Sequence, residues 1–345
     1  MKQLLNTLYV QTQGSYLHLD HDTLKLELGE ERRPFQMPLH HLGSIAVFGN
    51  VLVSPFLIHR CAEDGRNIVW FSRGGRFKGR LSGPTSGNVM LRLAQHRAAN
   101  ATDAATAIAR SLVAGKMQNA RSVLLRAARE NENGLHAAGL RDAASLHAQL
   151  VRRLPSLNHI DHIRGAEGDA ARTYFSVFGK MVRNSEPAFQ MQGRSRRPPQ
   201  DRVNAMLSFV YAVLVNECAA ACEGVGLDPQ IGFLHSVRPG RPSLALDLME
   251  ELRAPLADRL VLTLINRKQV KAKQFIERPG GAVEMSDDVR RTVLEAYQRR
   301  KQEEIRHSVL ERNVPFGLVP HAQARLLARH LRGDMPDYAP FIIRG

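Results

Sequence analysis

The feature that most constrains the fold is a change of character across Leu81–Asn88, a stretch punctuated by Gly83, Pro84 and Gly87. Upstream, apolar and polar residues mix or alternate in short runs: Leu4–Val10, Tyr16–Asp20, Thr23–Leu28, Phe35–Pro38 and Ser44–Phe48. Gly14, Asp22, Gly29 and Gly43 mark the turns between them. Runs of that length and period predict β-strands. A short helix over Ser54–Glu63 and an apolar strand over Ile68–Phe71 complete this half. Downstream the chain is Ala-rich with helical periodicity. The expectation is an α+β chain of two domains, a small N-terminal β-sheet domain over 1–85 and a larger, mainly α-helical domain over 86–345.

In the helical half, Val89–Glu130 predicts one long helix or two, and Leu140–Leu154 another after a break at Asn131–Gly139. Ile108, Leu112, Met117, Val123 and Leu124 form an apolar side. Lys116 and Asn119 lie beside it, and packing accounts for the segment without chemistry. Farther on, Leu256–Ile265 predicts a buried helix and Phe275–Met285 a hairpin around Pro279-Gly-Gly281. Asp287–Leu310 predicts a long charged helix, Ala322–Leu331 an amphipathic one, and Pro336–Gly345 a tail. No internal repeat is visible.

Chemistry concentrates in Gly226–Arg253. His235 ends a Gly/Pro-punctuated turn and is followed by the basic loop Arg238-Pro-Gly-Arg241. A helix then opens, with Ser243 expected as its N-cap and Leu244, Leu248 and Leu252 as its apolar stripe. Asp247 and Glu250, three apart, share a face of that helix. An imidazole opposite such carboxylates is half of a divalent-metal site. The third arm is sought in Ile163–Arg172, where Glu167 is expected near the start of a helix. Ala171, Tyr174 and Phe178 follow it on one apolar face, which points the carboxylate inward. A first-turn acid favoured by the helix dipole would explain Glu167 alone; an inward carboxylate beside His235 calls for a partner.

Arg194, Arg196, Arg197 and Arg202 crowd the loop Arg194–Arg202, and Asp201 is expected to cap the helix Arg202–Glu223. Asn204 in its first turn either satisfies nearby backbone or, like Tyr174, supports a metal ligand by hydrogen bonding. Arg73, Arg76, Lys78 and Arg80 form an acid-free hairpin, either protecting a sheet edge or contacting a phosphate backbone. The whole chain carries 48 Lys and Arg against 33 Asp and Glu, a formal charge of +15. Such a surplus suits a polyanion, nucleic acid first. Cys61, Cys218 and Cys222 form no CxxC pair, so packed thiols in a reducing compartment are expected. Met1–Val10 has no secretory pattern, and the apolar run Ala205–Val215 is too short to span a bilayer. The expectation is a cytoplasmic protein without a membrane partner.

Taken together, several of these pieces resemble the CRISPR-associated spacer integrases, the "Cas-one" family, over essentially the whole chain. They are Gly165-Ala-Glu-Gly168 with Tyr174-Phe175, the helix start Pro198–Asn204, Gly226-Leu-Asp-Pro229 with Gly232-Phe-Leu-His235, and Arg241-Pro-Ser-Leu244 with Asp247–Arg253. The N-terminal wording with Ser82-Gly-Pro84 is most similar to the type I-C branch. The resemblance implies a β-domain that dimerises, a helical catalytic domain, and a homodimer that flanks a dimer of the small "Cas-two" partner on double-stranded DNA. It implies Glu167, His235 and an acid on the following helix as metal ligands and catalytic residues. That acid is Glu250 by the family's spacing, with Asp247 the other candidate. It also implies Mg²⁺ or Mn²⁺ as the ion, and Arg238, Arg241 and the basic loops as phosphate contacts. Two further readings stand beside the integrase: a metal-dependent nuclease of branched DNA or repair, and a DNA-binding scaffold without catalysis.

Overall fold

The computed structural model describes residues 6–27, 35–83, 89–131, 136–191 and 193–343. The expected strand start at Leu4, the strand end at Leu28, Gly29, Pro84 and Gly87, and the middle of the Asn131–Gly139 break lie outside the described residues.

The N-terminal half is β1 (Thr7–Val10), β2 (Ser15–Asp20), β3 (Thr23–Glu27), β4 (Phe35–Pro38), β5 (Ser44–Phe48), β6 (Val51–Val53), α1 (Pro55–Glu63), β7 (Asn67–Phe71) and β8 (Phe77–Arg80). Only β6 was not anticipated; three residues are too few to show alternation. The strands make two sheets, ordered β1-β5-β7-β8 and β4-β3-β2-β6. In the first, β1, β5 and β7 run parallel and β8 returns antiparallel.

That first sheet is buried on both faces. Ile45, Val47 and Ile68 point into a core shared with Leu17, Leu24, Leu57 and Cys61. Their neighbours Ala46, Phe48, Val69 and Phe71 point the other way, into the core of the helical region. A near-continuous apolar run is what a doubly covered parallel sheet requires. Phe48 stacks on Phe71 with ring centroids 4.8 Å apart and meets Phe209 at 5.7 Å. At the β7–β8 turn Gly75 has φ +88°, and a Cβ there would lie 2.3 Å from the Phe209 ring. Ion pairs seal the same seam: Arg73 with Asp287 at 2.6 Å and Arg80 with Glu223 at 2.5 Å. Arg76 and Lys78 remain exposed.

The helical region runs α2 (Val89–Asn100), α3 (Thr102–Glu130), α4 (Ala137–Arg153), α5 (Ile160–Ser176), α6 (Arg202–Val225), α7 (Ser243–Leu252) and α8 (Arg259–Asn266). The hairpin β9 (Phe275–Glu277) with β10 (Val283–Met285), α9 (Asp287–Gln302), the hairpin β11 (Glu304–Arg306) with β12 (Asn313–Pro315) and α10 (Val319–Leu331) complete it. Asp201 caps α6 as expected, its Oδ1 accepting from Asn204 N–H at 2.7 Å. By length and composition α6 is apolar enough to cross a bilayer, yet most of it is buried in the helical core.

Four local expectations are corrected. Helix α5 starts at Ile160, where His159 Nδ1 accepts from Asp161 N–H, so Glu167 sits mid-helix rather than at its head. Ser243 is not a cap: it is the first residue of α7, and its hydroxyl donates to Ser236 O. The carbonyl of Pro229 takes Leu244 N–H and Ala245 N–H instead. The buried helix over Leu256–Ile265 opens as a π-helical turn, Arg253–Asp258, continuous with α7; Pro255, lacking an N–H, disfavours a regular α turn there. Finally, α9 stops at Gln302, because Ile305 pairs across a strand with Val314 instead of continuing the helix.

Candidate metal centre

Helix α7 buries three carboxylates: Asp247, Glu250 and Glu251 are 0%, 3% and 0% exposed. A buried carboxylate costs several kcal/mol unless compensated, and each of the three is compensated differently.

Asp247 is wrapped by the preceding loop. Its Oδ2 accepts from Phe233 N–H at 2.6 Å and Leu234 N–H at 3.1 Å; its Oδ1 accepts from His235 N–H at 2.9 Å. Gly232 permits this approach, since a Cβ there would meet Asp247 Oδ2 at 2.7 Å. Asp247 Oδ1 also lies 2.7 Å from His235 Nδ1. The imidazole is thereby oriented, and its Nε2 faces Glu250 Oε1 at 3.9 Å, beyond hydrogen-bond reach.

Glu250 is compensated by cations. Arg253, one turn on, donates to Oε1 at 2.6 Å. Lys116 Nζ, from α3, lies 2.8 Å from Oε2, although that oxygen receives no aligned hydrogen bond. Burial pushes the Glu250 carboxyl up, but Arg253, Lys116 and His235 together reverse the effect and hold it well below the usual carboxylate range. The same Lys116 ammonium donates to Glu167 on α5. Three chain-distant elements thus bring Glu167, His235 and Glu250 to one place. The Glu167 and His235 side chains are 26% and 22% exposed, so the place is open to solvent on one side.

Behind it lies a cavity of about 50 Å³ lined by Glu167, Glu250, Arg253, Tyr174, Tyr211 and Asp258. Tyr174 OH donates to Asp258 Oδ2 at 3.0 Å and Tyr211 OH donates to Oδ1. Burial lifts the Asp258 carboxyl to about 6 against these donors and Arg253. Arg253 also lies over the Tyr211 ring, 4.4 Å from its centroid. Tyr174 therefore gives its hydroxyl to Asp258 and shares the cavity wall with Glu167 and Glu250.

Asn204 stands elsewhere. Its Oδ1 accepts from Arg194 at 2.6 Å and from Ser195 N–H, and its Nδ2 donates to Gly193 O and Asp201. Satisfying the basic loop, rather than contacting the acids and the imidazole, is its observed role. Arg194 is half-buried, tied to Asn204 and Ser208. Arg196, Arg197 and Arg238 are exposed, and Arg241 is partly so. Arg196 also lines the cavity. Lys116, Arg253, Tyr211 and Asp258 were missed as site residues. Arg253, three residues after Glu250, carried a local signal; the others are joined to the site only by tertiary contact.

Glu251 faces a different neighbourhood. Tyr338 OH donates to it at 2.6 Å, Gln323 Nε2 at 2.9 Å and Phe341 N–H at 2.7 Å. Burial raises its carboxyl to about 8 despite these donors. Asn119 completes this lock by donating to Glu251 O and Phe341 O and accepting from Ile343 N–H.

The donor chemistry at Glu167, His235 and Glu250 fits a hard divalent cation: two carboxylates, one imidazole with its second nitrogen held, and a buried Glu250 Oε2 that faces only the Lys116 ammonium, at 2.8 Å. Among the described residues no three such side chains already close around a point. A cation, Lys116, stands between two of them.

Residues 8–299 match the family described as "CRISPR associated protein Cas1". The chain is 55% identical over 344 residues to "CRISPR-associated endonuclease Cas1 1" of Moorella thermoacetica, covering 100% of both chains. It is 51% identical over 345 residues to "CRISPR-associated endonuclease Cas1 2" of Rhodospirillum rubrum, covering 99% of each. Its fold is similar to a casposase bound to integration product, with a TM-score of 0.84, 21% identity and coverage of 97% of this chain and 92% of that one. It is similar also to a chain of a "Cas6-RT-Cas1--Cas2 complex", with a TM-score of 0.79, 21% identity and coverage of 100% of this chain and 36% of that one. A family match across most of the chain, and identities above half over its full length, leave one conclusion: this protein belongs to the Cas1 family of CRISPR-associated proteins.

Proposed function

We propose that the protein is a metal-dependent DNA endonuclease and strand transferase that inserts short DNA fragments into a CRISPR array, the 3′-OH of the fragment attacking a repeat phosphodiester. The observation that carries this reading is the convergence on Glu250 of Glu167, joined to it through Lys116, and of His235, whose ring is oriented by Asp247. The names of the full-length relatives support the endonuclease activity. Glu167, His235 and Glu250 are the residues assigned to hold the ion, Mg²⁺ or Mn²⁺, and an imidazole in the set favours Mn²⁺. Held by these residues, such an ion would supply Lewis-acid polarisation of the scissile phosphodiester and charge stabilisation for the leaving 3′ oxygen. Asp247 is assigned to orientation: four contacts already occupy its oxygens, and it keeps Nε2 of His235 turned to the centre. Arg253 balances the Glu250 charge from the buried side. The exposed Arg196, Arg197, Arg238, Arg76 and Lys78, with the partly exposed Arg241, are assigned to the DNA backbone.

Division into a dimerising domain over 1–85 and a catalytic domain over 86–345, a homodimer, a Cas2 dimer as partner, membership of the type I-C branch and a cytoplasmic location belong to the same reading. The association of a similar fold with Cas2 in a Cas6-RT-Cas1–Cas2 complex supports the partner. The test is transfer of a labelled DNA with 3′-OH ends into a plasmid bearing a CRISPR repeat, with the cognate Cas2 and Mn²⁺ or Mg²⁺. Joined product from wild type, lost in Glu167→Ala and His235→Ala with DNA binding kept, is expected. Nicking without joining would leave a nuclease, and undiminished product from the variants would overturn the site.

A further inference from the structure

We propose that Lys116 is a built-in stand-in for the divalent ion: its ammonium holds the Glu167 and Glu250 carboxylates together until the ion arrives, and ion binding exchanges one cation for the other. The proposal rests on the reading of these acids as ion ligands and adds a residue that would not itself be a ligand.

Three observations carry it. The ammonium contacts both carboxylates at once, donating to Glu167 and lying 2.8 Å from Glu250 Oε2. It therefore fills the position from which a single cation reaches both acids. Second, Glu250 is 3% exposed and Glu167 is on another helix. Two such carboxylates facing each other without a cation would repel. Arg253 cannot serve both, because it reaches Glu250 Oε1 and is anchored over the Tyr211 ring on the far side. Third, the contact with Glu250 Oε2 is a close charge pair without an aligned hydrogen bond. Such a pair gains Coulomb attraction but little directional hold.

A lysine suits this task better than an arginine. It is a compact charge on a flexible four-carbon stem and can withdraw, whereas a planar guanidinium would lock onto a carboxylate through two parallel bonds. The consequence is a weakened but pre-assembled site. The acids need not be gathered when the ion binds, yet the ion must displace a charge already present. Removing the charge should therefore tighten ion binding while loosening the ion-free protein.

The experiment measures Mn²⁺ binding to full-length protein by calorimetry or by the spin-resonance signal of free Mn²⁺, and thermal unfolding with and without Mn²⁺. The proteins are wild type, Lys116→Gln, Lys116→Arg and Glu167→Gln. Affinity is expected to rise by roughly tenfold in Lys116→Gln, about 1.4 kcal/mol, and to fall below wild type in Lys116→Arg. The ion-free Tm of Lys116→Gln should drop and Mn²⁺ should restore it by more than it raises wild type. Equal or weaker Mn²⁺ binding by Lys116→Gln, with wild type binding and Glu167→Gln not, overturns the stand-in and leaves the ion site intact. If Lys116→Gln does not fold, Lys116→Arg decides alone: binding as tight as wild type, or tighter, overturns the proposal. No Mn²⁺ binding by wild type overturns both the site and the stand-in.

Discussion

Glu250 and Glu251 are adjacent on one helix and equally buried, yet they end in opposite chemical states. Glu250 turns to the cations Lys116 and Arg253, and its carboxyl is held low. Glu251 turns to neutral donors, Tyr338, Gln323 and the Phe341 amide, and its carboxyl rises to about 8. Burial is common to both, so it cannot be the difference; the charge of the compensating partners is. A carboxylate matched by a mobile cation can change partners, as a metal ligand must. One matched by neutral donors fixed in a core can only hold its place, as a tail anchor must. Function and structure are thus separated by about a hundred degrees around α7.

The comparison can be broken at several points. The largest expected effect is on the cationic side: Glu250→Ala should lower strand transfer by about 10³-fold, roughly 4 kcal/mol of barrier, with DNA binding by the folded protein kept and Tm lowered, because Arg253 and Lys116 lose their shared carboxylate. A variant that unfolds instead would show that Glu250, like Glu251, is structural. On the neutral side, Glu251→Ala leaves the Tyr338 hydroxyl proton and the Phe341 N–H without their acceptor in the core, while Gln323 keeps Tyr338 OH and Ala339 O. It should cost about 3 kcal/mol in urea unfolding, with Mn²⁺ affinity of the folded protein unchanged. Between the two, Asp247→Asn should weaken Mn²⁺ binding by about 10- to 100-fold, the range for an outer partner of a ligating histidine; loss beyond this would make Asp247 a ligand itself.

The smallest effect sharpens the neutral side through pH. His307 is fully buried beside Phe341, and its Nδ1 accepts from Val309 N–H and Leu310 N–H at 3.3 Å. Burial lowers its pKa below the ordinary histidine value. Its folded form therefore binds a proton less readily than the unfolded chain. The stability it contributes is present above about pH 6.5 and is lost as pH falls below it. Stability should therefore fall between about pH 7.5 and 5.5, and His307→Gln should remove that part of the slope. An unchanged slope in the variant would mean that His307 is not kept neutral by the fold.

The sequence showed those parts of this arrangement that are written locally. The strands, the Asp201 cap, the hairpin at Pro279-Gly-Gly281 and the division into β-rich and helical halves follow from period and turn residues. Asp247 and Glu250 were read as neighbours from their spacing alone. Their different partners were not legible, since Asp247 is claimed by backbone N–H groups of a loop whose path depends on Gly232 and Pro229. Lys116 was read as packing because a lone lysine in an Ala-rich helix has no nearby acid; Glu167 and Glu250 lie 51 and 134 positions away. Glu167 was placed at a helix head because His159 is an unusual cap. Asn204 lay correctly in its first turn, but only the fold of the Arg194 loop decides what its amide touches.

The sheet β1-β5-β7-β8 has a consequence for how the molecule comes apart. Its two faces belong to two cores, so neither core can be melted without stripping the sheet that walls the other. The boundary at Leu81–Asn88 is therefore a seam in the sequence but not a hinge in the energy landscape. Heating should give one cooperative transition spanning both halves, and an isolated N-terminal fragment should expose Phe48 and Phe71 and self-associate rather than fold as a free unit.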